Sequence, residues 1–303
     1  MTRVPQIGLL ADGRRLHLQD GPIDLIVEAV GSATDRRAAY DAAAQRFTGL
    51  LDELCSELPL LRQAADPGRN QLQGIVARRM HAAVAPFAGA HFITPMAAVA
   101  GSVAEEILGA MTGAARLERA YVNNGGDIAL HLADGERFSV GLMDRPDALG
   151  SMRTVLIDAD DPSRGIATSG RHGRSFSLGI ADAVTVLAAT ASQADAAATI
   201  IANAVDLPGH PAILRCPAQD LQPDSDLGAR LVTRGVGDLS GREVMAALET
   251  GAACARRLLA MGLIDSAILR LHGETCVVST KAAGDGGLRV PVPASATERL
   301  MHA

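Results

Sequence analysis

The chain has to build its core almost without aromatic rings: its 303 residues include no tryptophan, two tyrosines and five phenylalanines. Ala, Leu, Val, Ile and Gly must therefore fill the interior, and small side chains favour helices lying close on a sheet, with few rings left to stack a flat ligand. With 48% hydrophobic and 20% charged residues, the chain can bury a large core, as one domain over 1–303 or as two closely packed lobes. The expected class is α+β, with mixed or antiparallel sheets packed against helices.

A formal net charge of −6 argues against a nucleic-acid partner, because phosphate backbones are held by clustered Lys and Arg. Small charged metabolites fit better. Cys55, Cys216, Cys254 and Cys276 lie far apart, with no CxxC pair and no close Cys/His spacing, which points to a reduced cytoplasmic setting. The first dozen residues lack the long apolar core of a signal peptide, and no window approaches 18 apolar residues, so a soluble chain without a membrane partner is expected. A homodimer is the expected assembly for so apolar a chain.

Along the chain, Asp20-Gly21-Pro22 separates two strands, 14–19 and 23–30, in a hairpin pattern. The spacing predicts a helix over 35–58 ended by Pro59, and another over 72–84 closed by Pro86, with Arg78, Arg79 and His81 on its polar side. Thr94-Pro95 reads as an N-cap opening an alanine-rich helix through Met111. Strands are expected over 120–123, 127–132 and 138–143 in a mixed sheet, then at 165–169 and 183–188. A helix over 192–205 capped by Ser192 follows. Ser240-Gly241-Arg242-Glu243 has capping-box spacing and opens a helix to Met261, before strands at 267–271 and 275–279.

Three segments could carry chemistry. Asn123-Asn124-Gly125-Gly126-Asp127 reads either as a hairpin turn, since Asn and Gly tolerate positive φ, or as a glycine turn whose exposed amides let an anion or nucleotide approach. Thr168-Ser169-Gly170-Arg171-His172-Gly173-Arg174-Ser175 combines hydroxyls, guanidinium groups and an imidazole suited to phosphate or carboxylate, and an ordinary polar loop has the same composition. Asp195 and Thr199 stand one helical turn apart on one face, which suits Mg²⁺; an Asp in the first turn of a helix is also favoured by the dipole alone. His81, His91 and His131 are scattered singly and read as structural, and Cys254 and Cys276 as inert thiols.

The order of these segments resembles the ApbE family of flavin transferases: Ala98 to Gly101 opening a helix, then Asn123 to Asp127, Ala167 to Gly170, and Ala194 to Thr199. The run Ser177 to Val186 is similar to the shorter, cytoplasmic ApbE-like branch, and the resemblance covers about Ala90 to Val205. It implies a two-lobed, T-fold-related architecture. It also implies Mg²⁺ held by Asp195, Thr199 and a backbone carbonyl near Ala98, with FAD or FMN lined by Asn123, Asn124, Gly125, Gly126, Asp127, Thr168, Ser169 and Gly170. The implied activity is splitting of the FAD pyrophosphate and passage of FMN to a protein hydroxyl. Gly101-Ser102 stands where the transferases have Lys-Gly, and the His-x-x-Asp-Pro segment is absent; Arg171 and Arg174 are candidates for the lost charge. Besides the flavin enzyme, two readings stay open: an accessory protein, linked in this branch to sulfur assimilation, that binds a small phosphorylated or acidic metabolite, and a scaffold with a vestigial site.

Overall fold

The computed structural model describes residues 4–142 and 153–279. The chain opens with strands β1 (Gln6–Leu9), β2 (Leu16–Asp20) and β3 (Ile23–Val30), followed by helices α1 (Ala33–Phe47), α2 (Leu50–Ser56), α3 (Leu58–Leu61) and α4 (Ile75–Ala88). A 3₁₀ turn (Pro95–Ala98) leads into α5 (Val99–Ala114), then β4 (Arg119–Asn124), β5 (Asp127–Leu132), β6 (Arg137–Leu142), β7 (Arg153–Asp158), β8 (Gly165–Ser169) and β9 (Ala183–Ala188). After α6 (Ala191–Ala204) come β10 (Ile213–Pro217), α7 (Ala218–Leu221), β11 (Leu231–Val236), α8 (Gly241–Ala260), β12 (Ser266–Leu271) and β13 (Glu274–Ser279).

Buried and half-buried residues alternate without a break along β2 and β3, as a sheet covered by helices on one face requires. Nine strands form one sheet in the order β1-β2-β3-β4-β5-β8-β9-β12-β13. Leu18, Leu25 and Val27 pack with Phe47, Met80, Ile107 and Met111 beneath α1, α4 and α5. Ala167, Val184, Val186 and Leu269 pack with Ala197, Ile201 and Leu248 beneath α6 and α8. The opposite face is covered in part by the β6–β7 ribbon through Leu130, Ile157, Ile166 and Leu187.

Small side chains set the spacing. Six alanines of α6 are buried, and a Cβ placed on Gly165 would stand 2.1 Å from the Thr190 carbonyl carbon, so β8 touches the start of α6 through bare backbone. The capping box at Ser240 is present in full, with both reciprocal hydrogen bonds to Glu243. Among the described residues no helix is long and apolar enough to cross a membrane, and all four cysteines are unpaired.

Several expectations are corrected. Every strand pair among the described residues is antiparallel, so the sheet is not mixed; β2–β3 and β4–β5, each joined by a two-residue turn, have no other choice. The helix expected over 35–58 breaks at Gly49, whose φ of 84° is left-handed, and Pro59 starts α3 instead of ending a helix. Pro86 lies inside α4, and His81 is buried there, bonded to the Asp66 carbonyl oxygen at 3.0 Å. Thr94 makes no side-chain cap; its hydroxyl donates to Asp226 Oδ2 at 2.5 Å. Thr190, not Ser192, caps α6. Met143, at the end of an expected strand, lies outside the described residues.

Candidate functional site

The β4–β5 hairpin turns through Gly125 and Gly126, with φ of 66° and 116°, the paired positive values a two-residue turn demands. Asn123 Oδ1 accepts from the Gly126 amide at 2.8 Å and braces the turn. Strand alternation separates the two asparagines. Asn124 pairs with Asp127 on the helix-covered face, and Asn123 pairs with Ile128 on the other. Asn124 is buried, and its Nδ2 donates to the Ala100 carbonyl oxygen at 3.2 Å, so its amide turns toward α5.

Asp195 sits in the second turn of α6 and reaches the start of α5. Its Oδ2 accepts from the Gly101 amide at 3.0 Å, with the Ala100 amide as a second donor. Helix α5 begins at Ala98, which has no side-chain acceptor to offer, and Asp195 supplies one from a neighbouring helix. Gly101 is what lets the helices meet: a Cβ there would lie 2.3 Å from the Ala191 carbonyl oxygen.

Asp127 comes to the same place from β5, and its Oδ1 accepts from the Thr168 amide at 3.1 Å. Burial pushes its carboxyl up to about 7, with the Thr168 bond opposing. Asp195 is pushed well above the usual carboxylate range, first by burial and then by the charge of Asp127, against the pull of the Gly101 and Ala100 amides. Burial thus acts on both carboxyls, and the charge of Asp127 adds to it at Asp195.

Thr199 lies one turn beyond Asp195 on the same face of α6, and Ser169 lies on the helix side of β8, two residues beyond the buried Ala167. Thr168 differs: its amide faces the site, whereas its hydroxyl is bonded to Thr185 Oγ1 at 2.9 Å. Gly170, with φ 152°, passes so close to the Asp182 carbonyl oxygen that a Cβ would stand 2.6 Å from it. The two arginines also part company. Arg171 is tied to Asp182 at 2.8 and 2.6 Å, in a cluster with His172 and the His272 amide. The exposed Arg174 lies against the glycine turn, its Cζ 3.5 Å from where a Gly125 Cβ would be.

The side chains of Asp127, Asp195 and Thr199 offer oxygen alone, the donor type a hard divalent cation takes. Among the described residues no group of three or more His, Cys, Asp or Glu forms a metal cluster. The Ala100 and Gly101 amides were not legible as site groups. Their signal was a helix start, Ala98-Val99-Ala100-Gly101, without a capping side chain of its own. His131 and His91 are bonded to the Leu117 carbonyl oxygen and to Arg257, and burial pushes the Cys254 and Cys276 thiols up, away from the reactive thiolate form.

The family described as AbpE bacteria matches residues 7–277. UPF0280 proteins are similar over shorter stretches: that of Methanothermobacter thermautotrophicus is 40% identical over 117 residues, 38% of this chain and 44% of that protein. Those of Methanopyrus kandleri and Methanosphaerula palustris are 37% identical over 155 residues and 34% identical over 158, covering 50% and 51% of this chain and 59% and 63% of theirs. The chain spans about half the length of the curated relatives it matches. The apo crystal structure of Pseudomonas stutzeri flavinyl transferase ApbE aligns over 92% of this chain and 95% of that one, with a TM-score of 0.42 and 12% identity.

Proposed function

The chain belongs to the ApbE-like family, and from that premise we propose that it is a cytoplasmic protein that binds a flavin nucleotide, FAD or FMN, with Mg²⁺, at the junction of the β4–β5 turn, β8 and the first turns of α5 and α6. One observation carries the reading: Asp127 and Asp195, far apart in sequence, meet with both carboxyls raised, beside a glycine turn that Arg174 flanks. Asp195 and Thr199, with the Ala98 carbonyl, hold the cation; Arg174 and the amides of Gly125 and Gly126 take the phosphates. Bound there, Mg²⁺ would neutralise phosphate charge and polarise the pyrophosphate toward a transferase-like cleavage. The protein's own share is positioning, with Arg174 in the place of the missing cationic residue and Arg171 holding the 170–182 loop through Asp182.

A second reading, a non-flavin phosphorylated or acidic metabolite, is favoured by where the rings lie. Phe47 and Phe87 are buried in the core, Tyr121 and Phe138 pack edge to face, and Phe92 is covered by Arg230. The Tyr40 hydroxyl is tied to the Ala29 amide and the Arg14 carbonyl oxygen, so stacking of a flavin falls to Phe176, half-buried two residues from Arg174.

Calorimetric titration at pH 8 tests the cation: wild type is expected to bind Mg²⁺ or Mn²⁺, and Asp195→Ala to lose that binding while staying folded. Equal heats in the two proteins remove the assignment. FAD fluorescence separates the two readings. Quenching that needs Mg²⁺ and weakens about tenfold in Arg174→Ala, the equivalent of about 1.4 kcal/mol, supports the flavin reading. No quenching with or without the cation leaves the acidic metabolite.

A further inference from the structure

We propose that Asn124 is a positioning residue for Asp195, acting through the peptide that joins Ala100 to Gly101; the proposal deepens the cation-site reading above and rests on it. Asn124 Nδ2 donates to the Ala100 carbonyl oxygen at 3.2 Å, and the N–H of that same peptide, belonging to Gly101, donates to Asp195 Oδ2 at 3.0 Å. A peptide group is planar and rigid, so a side chain that fixes the direction of its C=O fixes the direction of its N–H. Hydrogen bonds in series also polarise one another, so the Asn124 bond strengthens the one that Asp195 receives.

The surroundings leave this task to Asn124. It is only 8% exposed and faces the helices, whereas its neighbour Asn123 is on the other side of the sheet. It stands directly opposite Asp127 in the β4–β5 pair, where facing side chains are about 5 Å apart, and so it flanks one carboxylate while orienting the other. Gly101 itself carries no side chain that could hold the peptide, and α6 closes over it at Ala191. The hairpin end and α5 are thus joined at a peptide whose N–H grips the α6 carboxylate.

The test needs a readout independent of the cation. In an amide ¹H–¹⁵N spectrum of the metal-free protein, Gly101 is expected well downfield, and Asn124→Leu, close in volume but without a donor, should move it upfield. Ser240→Ala, which removes the α8 cap far from the site, is the control for a general loss of stability and should leave Gly101 in place. In parallel, Mn²⁺ affinity should fall about tenfold in Asn124→Leu and stay unchanged in Ser240→Ala. If Asn124→Leu does not fold, the smaller Asn124→Ala takes its place. An unmoved Gly101 resonance overturns the proposal, and so does a moved one with wild-type Mn²⁺ affinity. A moved resonance in a protein whose wild type binds no Mn²⁺ supports the coupling and sinks the cation reading alone.

Discussion

Gly101→Ala is expected to lower the Tm by several degrees and to abolish cation binding, whereas Gly109→Ala and Gly113→Ala in the same helix raise the Tm. Alanine in a helix interior is ordinarily better than glycine by about 1 kcal/mol, and at Gly109 and Gly113 a Cβ would meet nothing within 4 Å. At Gly101 the same methyl would lie 2.3 Å from the Ala191 carbonyl oxygen, 2.5 Å from its carbon and 2.8 Å from the Ser192 nitrogen. These are backbone atoms of the first turn of α6, and they cannot swing aside as a side chain can. Forced overpacking costs about 1–3 kcal/mol, and separating the helices also withdraws the amides from Asp195. Thermal melts of the three variants check the sign, and Mn²⁺ titration checks the site. A Gly101→Ala protein as stable as wild type would mean that α5 and α6 do not meet this closely.

Asp195→Asn is expected to stabilise the metal-free protein at pH 8 and to remove the rise in Tm that Mn²⁺ gives the wild type. Both Asp127 and Asp195 have folded-state carboxyls raised above their unfolded values. Such a group binds its proton more readily when folded, so its contribution to stability is complete below the unfolded value near 4 and is lost as pH rises through the folded value, about 7 for Asp127. Acidifying the metal-free wild type from pH 8 toward 5 should therefore raise its Tm relative to Asp195→Asn, at roughly 2–4 °C per kcal/mol for a chain of this size. Cation affinity should run the opposite way, falling as the pH is lowered because the metal must then displace the proton that Asp195 holds. Parallel Tm profiles for wild type and variant between pH 5 and 8 would show that the Asp195 carboxyl is not raised by its surroundings.

Much of this was legible locally. Asp20-Gly21-Pro22, the alternation through Ile23–Val30, the paired glycines after Asn124 and the Ser240 capping box are short-range signals, and the chain obeys them. The i, i+4 pair of Asp195 and Thr199 falls on one face of α6 for the same reason. Longer-range competition decided the rest. Gly49 breaks a helix that the apolar spacing alone would continue, and Asp226 takes the Thr94 hydroxyl that local pattern assigned to a cap. At the site, a motif read as one run of five residues is divided by the pleat of the sheet. The meeting of Asp127 with Asp195 depends on how α6 lies across β5 and β8, which no local pattern encodes.

Asn124 is followed by Gly125, a residue with no side chain to shield the neighbouring backbone nitrogen, and asparagine in that setting is among the most heat-labile side chains in proteins. Hydrolytic loss of the amide would replace the donor aimed at the Ala100 carbonyl oxygen with a carboxylate that repels it. The molecule therefore carries its own clock. Aliquots aged at alkaline pH should gain one mass unit at Asn124 slowly while the hairpin stays docked, and faster in Gly101→Ala. Mn²⁺ binding by the wild-type aliquots should decay in step with that mass change.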